Sequence, residues 1–105
     1  MPSLHIFHQK IMVFAKSYCP YCKRTKATLR NLEVDLGSNL DVHVIELDEA
    51  PEDDGRMIQQ ELLRLTGQRT VPNVFIDSEH IGGNSDIEEM YDEGTLHDLV
   101  KVADL

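Results

Sequence analysis

Side chains suited to burial follow two patterns along the chain. Short continuous runs predict strands, and recurrence at every third or fourth residue predicts helices. Residues 10–15 hold a continuous apolar run bounded by polar residues, which is typical of a short buried strand. Beyond a short polar stretch, Thr25, Leu29 and Leu32 recur at helical spacing as far as Gly37. The first third of the chain therefore predicts a strand followed by one helix.

The middle of the chain repeats this order. Residues 40–47 predict a second strand, and residues 54–65 predict a second helix that is ended by a glycine. Ile58, Leu62 and Leu65 are spaced to share one face of that helix. Strand, helix and strand together predict a β-α-β unit.

The last third predicts a hairpin and then helix. Residues 74–76 predict a third strand, and residues 79–81 predict its antiparallel partner after a two-residue turn. A pair of glycines breaks the hairpin, after which Ser85 or Asn84 is expected to cap a final helical region that another glycine interrupts. A short helix over residues 3–8 completes the predicted elements.

Length and composition restrict the class of protein. A chain of 105 residues and 12.0 kDa has the size of one compact domain, so we expect residues 1–105 to form a single domain. With 41% hydrophobic and 28% charged residues, it has the composition of a folded protein. The longest apolar run, Ile11–Ala15, is far shorter than a membrane span, and no signal-peptide pattern precedes it. We therefore expect a soluble, cytoplasmic protein that binds no membrane.

Charge is distributed unevenly along the chain. There are 19 acidic and 10 basic residues, and such a surface repels a phosphate backbone, so we expect no nucleic-acid partner. All of the acidic residues follow residue 32, whereas most of the basic residues precede it. The molecule should therefore be dipolar, with its basic side near residues 10–30.

The two cysteines, Cys19 and Cys22, lie within the basic third and form one Cys-Pro-Tyr-Cys motif. A structural zinc site would need two further ligands, and the five scattered histidines lack the spacing of such sites, so no metal is expected. A structural disulfide closing so short a loop would constrain the unfolded chain little. Redox catalysis is the interpretation that remains.

The position of the motif makes the two sulfurs unequal. Pro20 suits the first helical turn because its missing N–H leaves no bond unmade, so Cys19 is expected at the helix N-terminus. There the unpaired backbone N–H groups stabilise a thiolate. Cys22 lies one turn inside the helix and should be more buried. We therefore predict an exposed nucleophile at Cys19 and a resolving thiol at Cys22.

The order of elements resembles the thioredoxin-like fold, an α/β architecture with a central four-stranded mixed sheet flanked by helices. Within that fold the chain resembles the dithiol glutaredoxins over nearly its whole length. Three segments carry the resemblance: Phe14-Ala-Lys-Ser-Tyr-Cys-Pro-Tyr-Cys22, Gly67-Gln-Arg-Thr-Val-Pro-Asn73 and His80-Ile-Gly-Gly-Asn-Ser-Asp86. The chain departs mildly from the family in its short N-terminal helix and in Ser85, where relatives often have Asp.

The resemblance implies roles for particular residues around bound glutathione. Val71, before a proline expected to be cis, would pair its backbone with the cysteinyl part, and Asp86 would face the γ-glutamyl ammonium. Glutathione carries two carboxylates and one ammonium, so a site with cations and an acid also fits its chemistry. The glutathione-binding residues that we expect are Lys16, Tyr21, Gln59, Thr70, Val71, Pro72, Gly83, Ser85 and Asp86.

The expected function is that of a glutathione-dependent thiol-disulfide oxidoreductase acting on glutathionylated and disulfide-containing proteins. Glutathione would be the co-substrate, and we expect a monomer. Two alternatives stay open: a dimeric iron-sulfur cluster carrier, which Pro20 argues against because cluster-binding relatives tend to have Ser or Gly there, and a thioredoxin-like reductant fed by a flavoprotein reductase.

Overall fold

The computed structural model describes residues 6–8 and 10–103, and strands and helices alternate along this part of the chain. In chain order the elements are β1 (Ile6–His8), β2 (Ile11–Ala15), α1 (Pro20–Leu36), β3 (Val42–Glu46), α2 (Asp54–Thr66), β4 (Asn73–Ile76), β5 (Glu79–Gly82), α3 (Asn84–Glu93), α4 (Thr95–Val100) and β6 (Lys101–Ala103). A 3-10 turn, Leu47–Glu49, follows β3.

Four of the strands form a mixed sheet in the order β3-β2-β4-β5. β2 is parallel to β3 and antiparallel to β4, while β5 is antiparallel to β4. Val13 at the centre of β2 is opposite Val44 on one side and Val74 on the other. The predicted four-stranded mixed sheet and thioredoxin-like fold are therefore confirmed.

The two faces of the sheet are packed to different degrees. Along β2, Ile11, Val13 and Ala15 are fully buried on the face that α1 and α3 cover, where they join one continuous core. Met12 and Phe14 point to the opposite face and are only half-buried. This alternation follows the two-residue period of a strand, and it places the main core between the sheet and the α1–α3 pair.

The ends of the long helices agree with the predicted stop signals. Gly37, in the left-handed conformation with φ 69°, ends α1, and its N–H donates to the carbonyl of Glu33 at 2.9 Å. Gly67, with φ 76°, ends α2 in the same way. A side chain with Cβ would be strained at these angles.

One local prediction was wrong, and strand β6 was not foreseen. The helix expected over residues 3–8 is not present at its described end, because β1 is a strand that pairs with β6; residues 3–5 lie outside the described residues. Within α2, Leu62 is buried whereas Leu65 is 61% exposed. Pairing between chain ends depends on distant contacts, which local periodicity does not contain.

Candidate active site

The motif cysteines lie where β2 gives way to α1. Cys19 is the N-cap of α1, and its Sγ accepts a hydrogen bond from the backbone N–H of Cys22 at 3.2 Å. Its own N–H donates to the carbonyl of Lys16 at 3.0 Å, which closes the turn before the helix. Both thiols are free. A sulfur that accepts a helix N-terminal N–H is stabilised as a thiolate.

The two sulfurs differ in exposure in the predicted order, but Cys19 is less exposed than expected. Cys19 is only 9% exposed, which corrects the expectation of an openly exposed nucleophile, and Cys22 is fully buried. Cys19 is recessed because Val71 lies over it, with the Val71 carbonyl oxygen 3.8 Å from Sγ. A substrate must therefore approach Cys19 along that backbone.

Burial raises the pKa of Cys22 to about 12. The hydrogen bond with Cys19 and the nearby negative charge of Glu46 act in the same direction, and a bond with the Lys16 backbone opposes them. Glu46 is itself held by Lys26, whose Nζ lies 3.3 Å from the Glu46 carboxylate. At neutral pH Cys22 is therefore a thiol.

The segment before β4 forms the wall opposite the thiols. The Val71–Pro72 peptide bond is cis, as the sequence resemblance implied. This segment reaches α3 closely: a Cβ on Gly83 would lie 3.5 Å from the carbonyl oxygen of Pro72. The backbone of Val71 thus lies between Cys19 and the start of α3.

The start of α3 forms the third wall. Asp86 Oδ2 accepts a hydrogen bond from the N–H of Gly83 at 2.9 Å, so Gly83 is the N-cap. Only glycine fits at position 82, where φ is 132° and a Cβ would lie 2.2 Å from Asp86 Oδ2. The prediction that Ser85 or Asn84 caps this helix was therefore wrong.

Asn84 has a different role, because it ties α3 to α1. Its Oδ1 accepts a hydrogen bond from the Thr25 hydroxyl at 2.9 Å, in the buried interface between the two helices. Each polar group satisfies the other, which removes the cost of burying them. This bond sets the spacing of the two helix N-termini on either side of the site.

An open pocket of about 620 Å³ lies against the cis-proline segment and the start of α3, and the two cysteines are not part of its lining. Seven of the nine predicted glutathione-binding residues line it: Tyr21, Thr70, Val71, Pro72, Gly83, Ser85 and Asp86. Tyr21 is 57% exposed, and the Arg24 guanidinium lies 5.5 Å from its ring centre. The pocket therefore presents a cation at one side and the Asp86 carboxylate at another.

Lys16 and Gln59 line a separate hollow of about 270 Å³. Gln59 projects from α2, and its Nε2 donates to the carbonyl of Arg69 at 2.8 Å. Asp48 also lines this hollow, where both the backbone N–H and the hydroxyl of Ser17 donate to its carboxylate and lower its pKa. The structure thus divides the predicted residues between two hollows.

Sequence reasoning missed four residues that line the larger pocket: Arg24, Gln68, Asn84 and Glu88. Arg24 follows Tyr21 by one helical turn, so its presence on the same face could have been found from helical spacing. Gln68 carries no such signal, because its place depends on the fold of residues 67–72. Asn84 was considered only as a cap.

The described part of the chain holds neither a cluster of metal-binding side chains nor a membrane-spanning helix. Across residues 6–8 and 10–103, no three His, Cys, Asp or Glu side chains are grouped to hold a metal ion. Among the helices in these same ranges, none is both long and apolar enough to cross a membrane.

A two-thiol motif at a helix N-terminus, facing a cis-proline segment within a thioredoxin-like sheet, defines a thiol-disulfide oxidoreductase. The sequence model of the glutaredoxin family matches residues 11–81. The chain therefore belongs to the glutaredoxin family, and its Cys19–Cys22 motif is of the dithiol type.

Individual relatives agree with this assignment. Glutaredoxin-1 of Rhizophagus irregularis is 46% identical over 90 residues, which cover 86% of this chain and 81% of that protein. The buckwheat glutaredoxin–glutathione complex is 44% identical, with a TM-score of 0.71 over 88% of this chain and 76% of that one. Wheat glutaredoxin is 44% identical, with a TM-score of 0.73 over 86% and 79% of the two chains.

Proposed function

We propose that this protein uses glutathione to reduce two kinds of substrate: mixed disulfides between glutathione and proteins, through Cys19 alone, and protein disulfides, through Cys19 and Cys22. The observation that carries the proposal is the position of the Val71 carbonyl, 3.8 Å from Cys19 Sγ at the wall of the pocket. A peptide backbone that pairs with Val71 would bring its own cysteine sulfur to Cys19.

Glutathione fits the rest of the pocket by charge. The γ-glutamyl ammonium would lie against Asp86, whose carboxylate is held in place by the Gly83 N–H. The γ-glutamyl carboxylate would meet the N-terminus of α3, where backbone N–H groups favour an anion. The glycyl carboxylate would extend toward the hollow that Lys16 and Gln59 line. The assignment of these residues is our proposal.

In the single-thiol route, the Cys19 thiolate attacks the glutathione sulfur of a mixed disulfide. The bond between Cys19 and glutathione forms as the protein–glutathione bond breaks, and the released protein thiolate takes a proton from water. A second glutathione thiolate then attacks the glutathionyl sulfur, so that glutathione disulfide leaves and the Cys19 thiolate is restored. Cys22 takes no part in this route.

In the two-thiol route, the Cys19 thiolate attacks a protein disulfide and forms a mixed disulfide with the substrate. Cys22 loses its proton and attacks Cys19 Sγ, which releases the second substrate thiol and closes a Cys19–Cys22 disulfide. Two glutathione molecules then reduce that disulfide and leave as glutathione disulfide. Burial keeps the Cys22 pKa high, so its deprotonation costs free energy in this route.

The proposal includes a monomeric protein acting in the reducing cytoplasm. A dithiol couple of this family is poised near cytosolic glutathione, at about −200 to −230 mV, so electrons would pass readily from glutathione to the protein. The single-thiol reaction also needs only one chain, because Cys19 and the pocket belong to the same protomer.

A hydroxyethyl disulfide assay with glutathione, NADPH and glutathione reductase tests the proposal. We expect NADPH oxidation that depends on both glutathione and the protein, and none when Cys19→Ser replaces it. Thioredoxin reductase in place of the glutathione system should support no turnover. Turnover with thioredoxin reductase alone would overturn the proposal in favour of a thioredoxin-like reductant, and a brown, glutathione-dependent dimer would favour the cluster carrier.

A further inference from the structure

The segment over the active site is held by a side chain that takes no part in the redox chemistry. Gln68 Nε2 donates to the carbonyl of Thr70 at 3.0 Å and to the carbonyl of Pro72, also at 3.0 Å. A glutamine amide nitrogen has two hydrogens, so both are used on this one segment. The two carbonyls on either side of Val71 therefore converge on the same nitrogen.

The carbonyl between them faces the other way. Val71 C=O lies 3.8 Å from Cys19 Sγ, and the Gln68 side chain and the Thr70–Val71–Pro72 segment all line the pocket. Fixing the carbonyls of Thr70 and Pro72 on one side leaves the Val71 backbone as the part of the segment available to a substrate. Gln68 thus holds the carbonyls of Thr70 and Pro72, while the carbonyl of Val71 between them lies near the Cys19 sulfur.

The orientation of the Gln68 amide follows from its neighbours. Reversing it would place Oε1 against two carbonyl oxygens, whereas in the observed orientation Oε1 faces His80 Nε2 at 3.2 Å. His80 must then carry a hydrogen on Nε2, and its ring packs on Phe75 with centres 5.2 Å apart. β4 and β5 therefore support Gln68 from outside the pocket.

The backbone of Gln68 is anchored as well. Its N–H donates to the Thr66 hydroxyl at 3.0 Å, and that hydroxyl donates to the Leu62 carbonyl at 2.7 Å in the last turn of α2. The side chain therefore projects from a fixed point at the end of a helix. A preorganised support of this kind lowers the cost of ordering a binding segment.

We propose that Gln68 is a positioning residue that fixes the Thr70–Val71–Pro72 backbone in the form that pairs with the cysteinyl part of glutathione. The inference rests on the proposed function for the identity of the substrate. Gln68 acts through the segment and not on the reacting sulfurs, so its contribution should appear in substrate binding while the chemistry at Cys19 stays the same.

Gln68→Met tests this with a neutral side chain of similar length that cannot donate. We expect the KM for a glutathionylated peptide to rise by about tenfold, roughly the effect of one to two lost hydrogen bonds, while kcat changes less than about twofold. Gln68→Glu, which keeps an acceptor for His80 but loses both donors, should raise KM at least as much. Gln60→Met, on the exposed side of α2, is the matched control and should leave KM unchanged.

Two further measurements separate positioning from unfolding and from a wrong substrate. Alkylation of Cys19 by iodoacetamide should be no slower in Gln68→Met than in wild type, because the N-terminus of α1 is untouched and a looser Val71 can only uncover the sulfur. The backbone amides of Thr70, Val71 and Asn73 should exchange their hydrogens faster in Gln68→Met than in wild type or Gln60→Met. Equal KM values for Gln68→Met and Gln60→Met, or a loss confined to kcat, would overturn the role in positioning.

The proposed function can fail separately. A wild-type protein that shows no glutathione-dependent turnover contradicts the substrate assignment. Hydrogen exchange then still decides whether Gln68 holds the segment: acceleration at residues 70–73 in Gln68→Met supports the positioning role, and unchanged exchange overturns it.

Discussion

The two ends of the α1–α3 helix pair are built differently. At the N-terminal end, one buried bond between Thr25 and Asn84 joins the helices, and backbone groups of the surrounding segments face a pocket. At the far end, Tyr91 of α3 donates its hydroxyl hydrogen to Asp35 Oδ2 of α1 at 2.6 Å. His97 of α4 lies 3.0 Å from the same oxygen, so three helices meet on one carboxylate.

At the far end Tyr91 and His97 both contact one carboxylate, while His97 Nδ1 is buried without a hydrogen-bond partner in the described part of the chain. The rings of Tyr91 and His97 lie 5.1 Å apart beside the carboxylate that both contact. The Tyr91 hydroxyl, and after it His97, hold the pKa of Asp35 below its ordinary value, while the same bond raises the pKa of Tyr91. These contacts join α1, α3 and α4 at a place that is separate from the pocket.

This difference shows how one pair of helices can be both rigid and reactive. Polar groups at the pocket end line an open pocket, whereas those at the Asp35 end bind one another. Changes at the pocket end should therefore alter catalysis, and changes at the Asp35 end should alter stability alone. The predictions below test that division.

Exchanging each cysteine for serine should give the largest effect. Cys19→Ser is expected to abolish every activity, because a serine hydroxyl is not appreciably ionised near neutral pH. Cys22→Ser keeps the nucleophile and the pocket, so it should still reduce a glutathionylated peptide while its reduction of a protein disulfide falls sharply. Without Cys22, the mixed disulfide between Cys19 and the substrate can be resolved only by an external glutathione.

Steady-state rates of both variants on the two substrates provide the test. Thiol titration of each unfolded variant is the control for complete reduction before the assay. If Cys22→Ser loses activity on the glutathionylated peptide as fully as Cys19→Ser does, the division of roles between the sulfurs is wrong.

Removing the charge of Asp86 should have the next largest effect. Asp86→Asn keeps an oxygen that can accept from Gly83 N–H but loses the negative charge that we assign to the glutathione ammonium. We expect KM for the glutathionylated peptide to rise by about tenfold, in line with a charge-assisted hydrogen bond, with little change in kcat. Glu89→Gln, an exposed neutralisation on the same helix, is the control.

Kinetics at two salt concentrations would sharpen the result for Asp86. The wild-type KM should rise with salt more than the KM of Asp86→Asn, because salt weakens a charged contact most. Equal salt dependence of the two proteins would argue against the ammonium contact.

The sequence predicted the pocket end of the molecule better than its periphery. A strand that ends at polar residues, a proline at the first helical turn and a glycine at the end predicted β2 and α1 from local signals alone. The pairing of β1 with β6 was missed because it joins chain ends that are almost a hundred residues apart. Local periodicity does not contain such pairing.

Within the site, motifs that fix the local backbone predicted Cys19, Val71 and Asp86. The structure places Val71 beside Cys19 and both Val71 and Asp86 at one pocket, and their roles stay predictions. Gln68 could not be predicted, because its two bonds depend on the turn of the segment that it holds. The N-cap of α3 was also mistaken: β5 ends at Gly82, so Asn84 already lies inside the helix.

Replacing Glu46 should have a modest effect on the two-thiol route alone. Burial is the main cause of the high Cys22 pKa, but the Glu46 charge adds to it. Glu46→Gln removes that charge, so the Cys22 pKa should fall. More thiolate would then form at a given pH, and we expect closure of the Cys19–Cys22 disulfide to quicken by about twofold.

Single-turnover closure measured from pH 6 to pH 9 would reveal this change. The rate should rise with pH in both proteins, with Glu46→Gln faster throughout, while reduction of a glutathionylated peptide stays unchanged. Glu49→Gln, an exposed acid in the following 3-10 turn, is the matched control. If the disulfide of Glu46→Gln closes no faster than that of Glu49→Gln, the Glu46 charge does not contribute to the high Cys22 pKa.

Neutralising Asp35 should have the smallest effect on function, because it breaks only the end remote from the pocket. Asp35→Asn weakens the acceptor that Tyr91 and His97 share, so at neutral pH we expect a melting temperature a few degrees lower, with both reductase activities unchanged. Asp98→Asn, an exposed neutralisation on α4, should melt like wild type.

The pH dependence of stability tests the mechanism at Asp35. Its pKa is lower in the folded protein than the ordinary value of about 3.9, so the unfolded chain binds this proton more readily and stability decreases as pH falls. The advantage of wild type over Asp35→Asn should therefore be complete at pH 6 and shrink as pH falls below about 4. Thermal unfolding followed by circular dichroism at pH 6, 4 and 3 measures it. A constant difference at all three values, or a loss of reductase activity in Asp35→Asn, would show that the two ends are not divided between stability and catalysis.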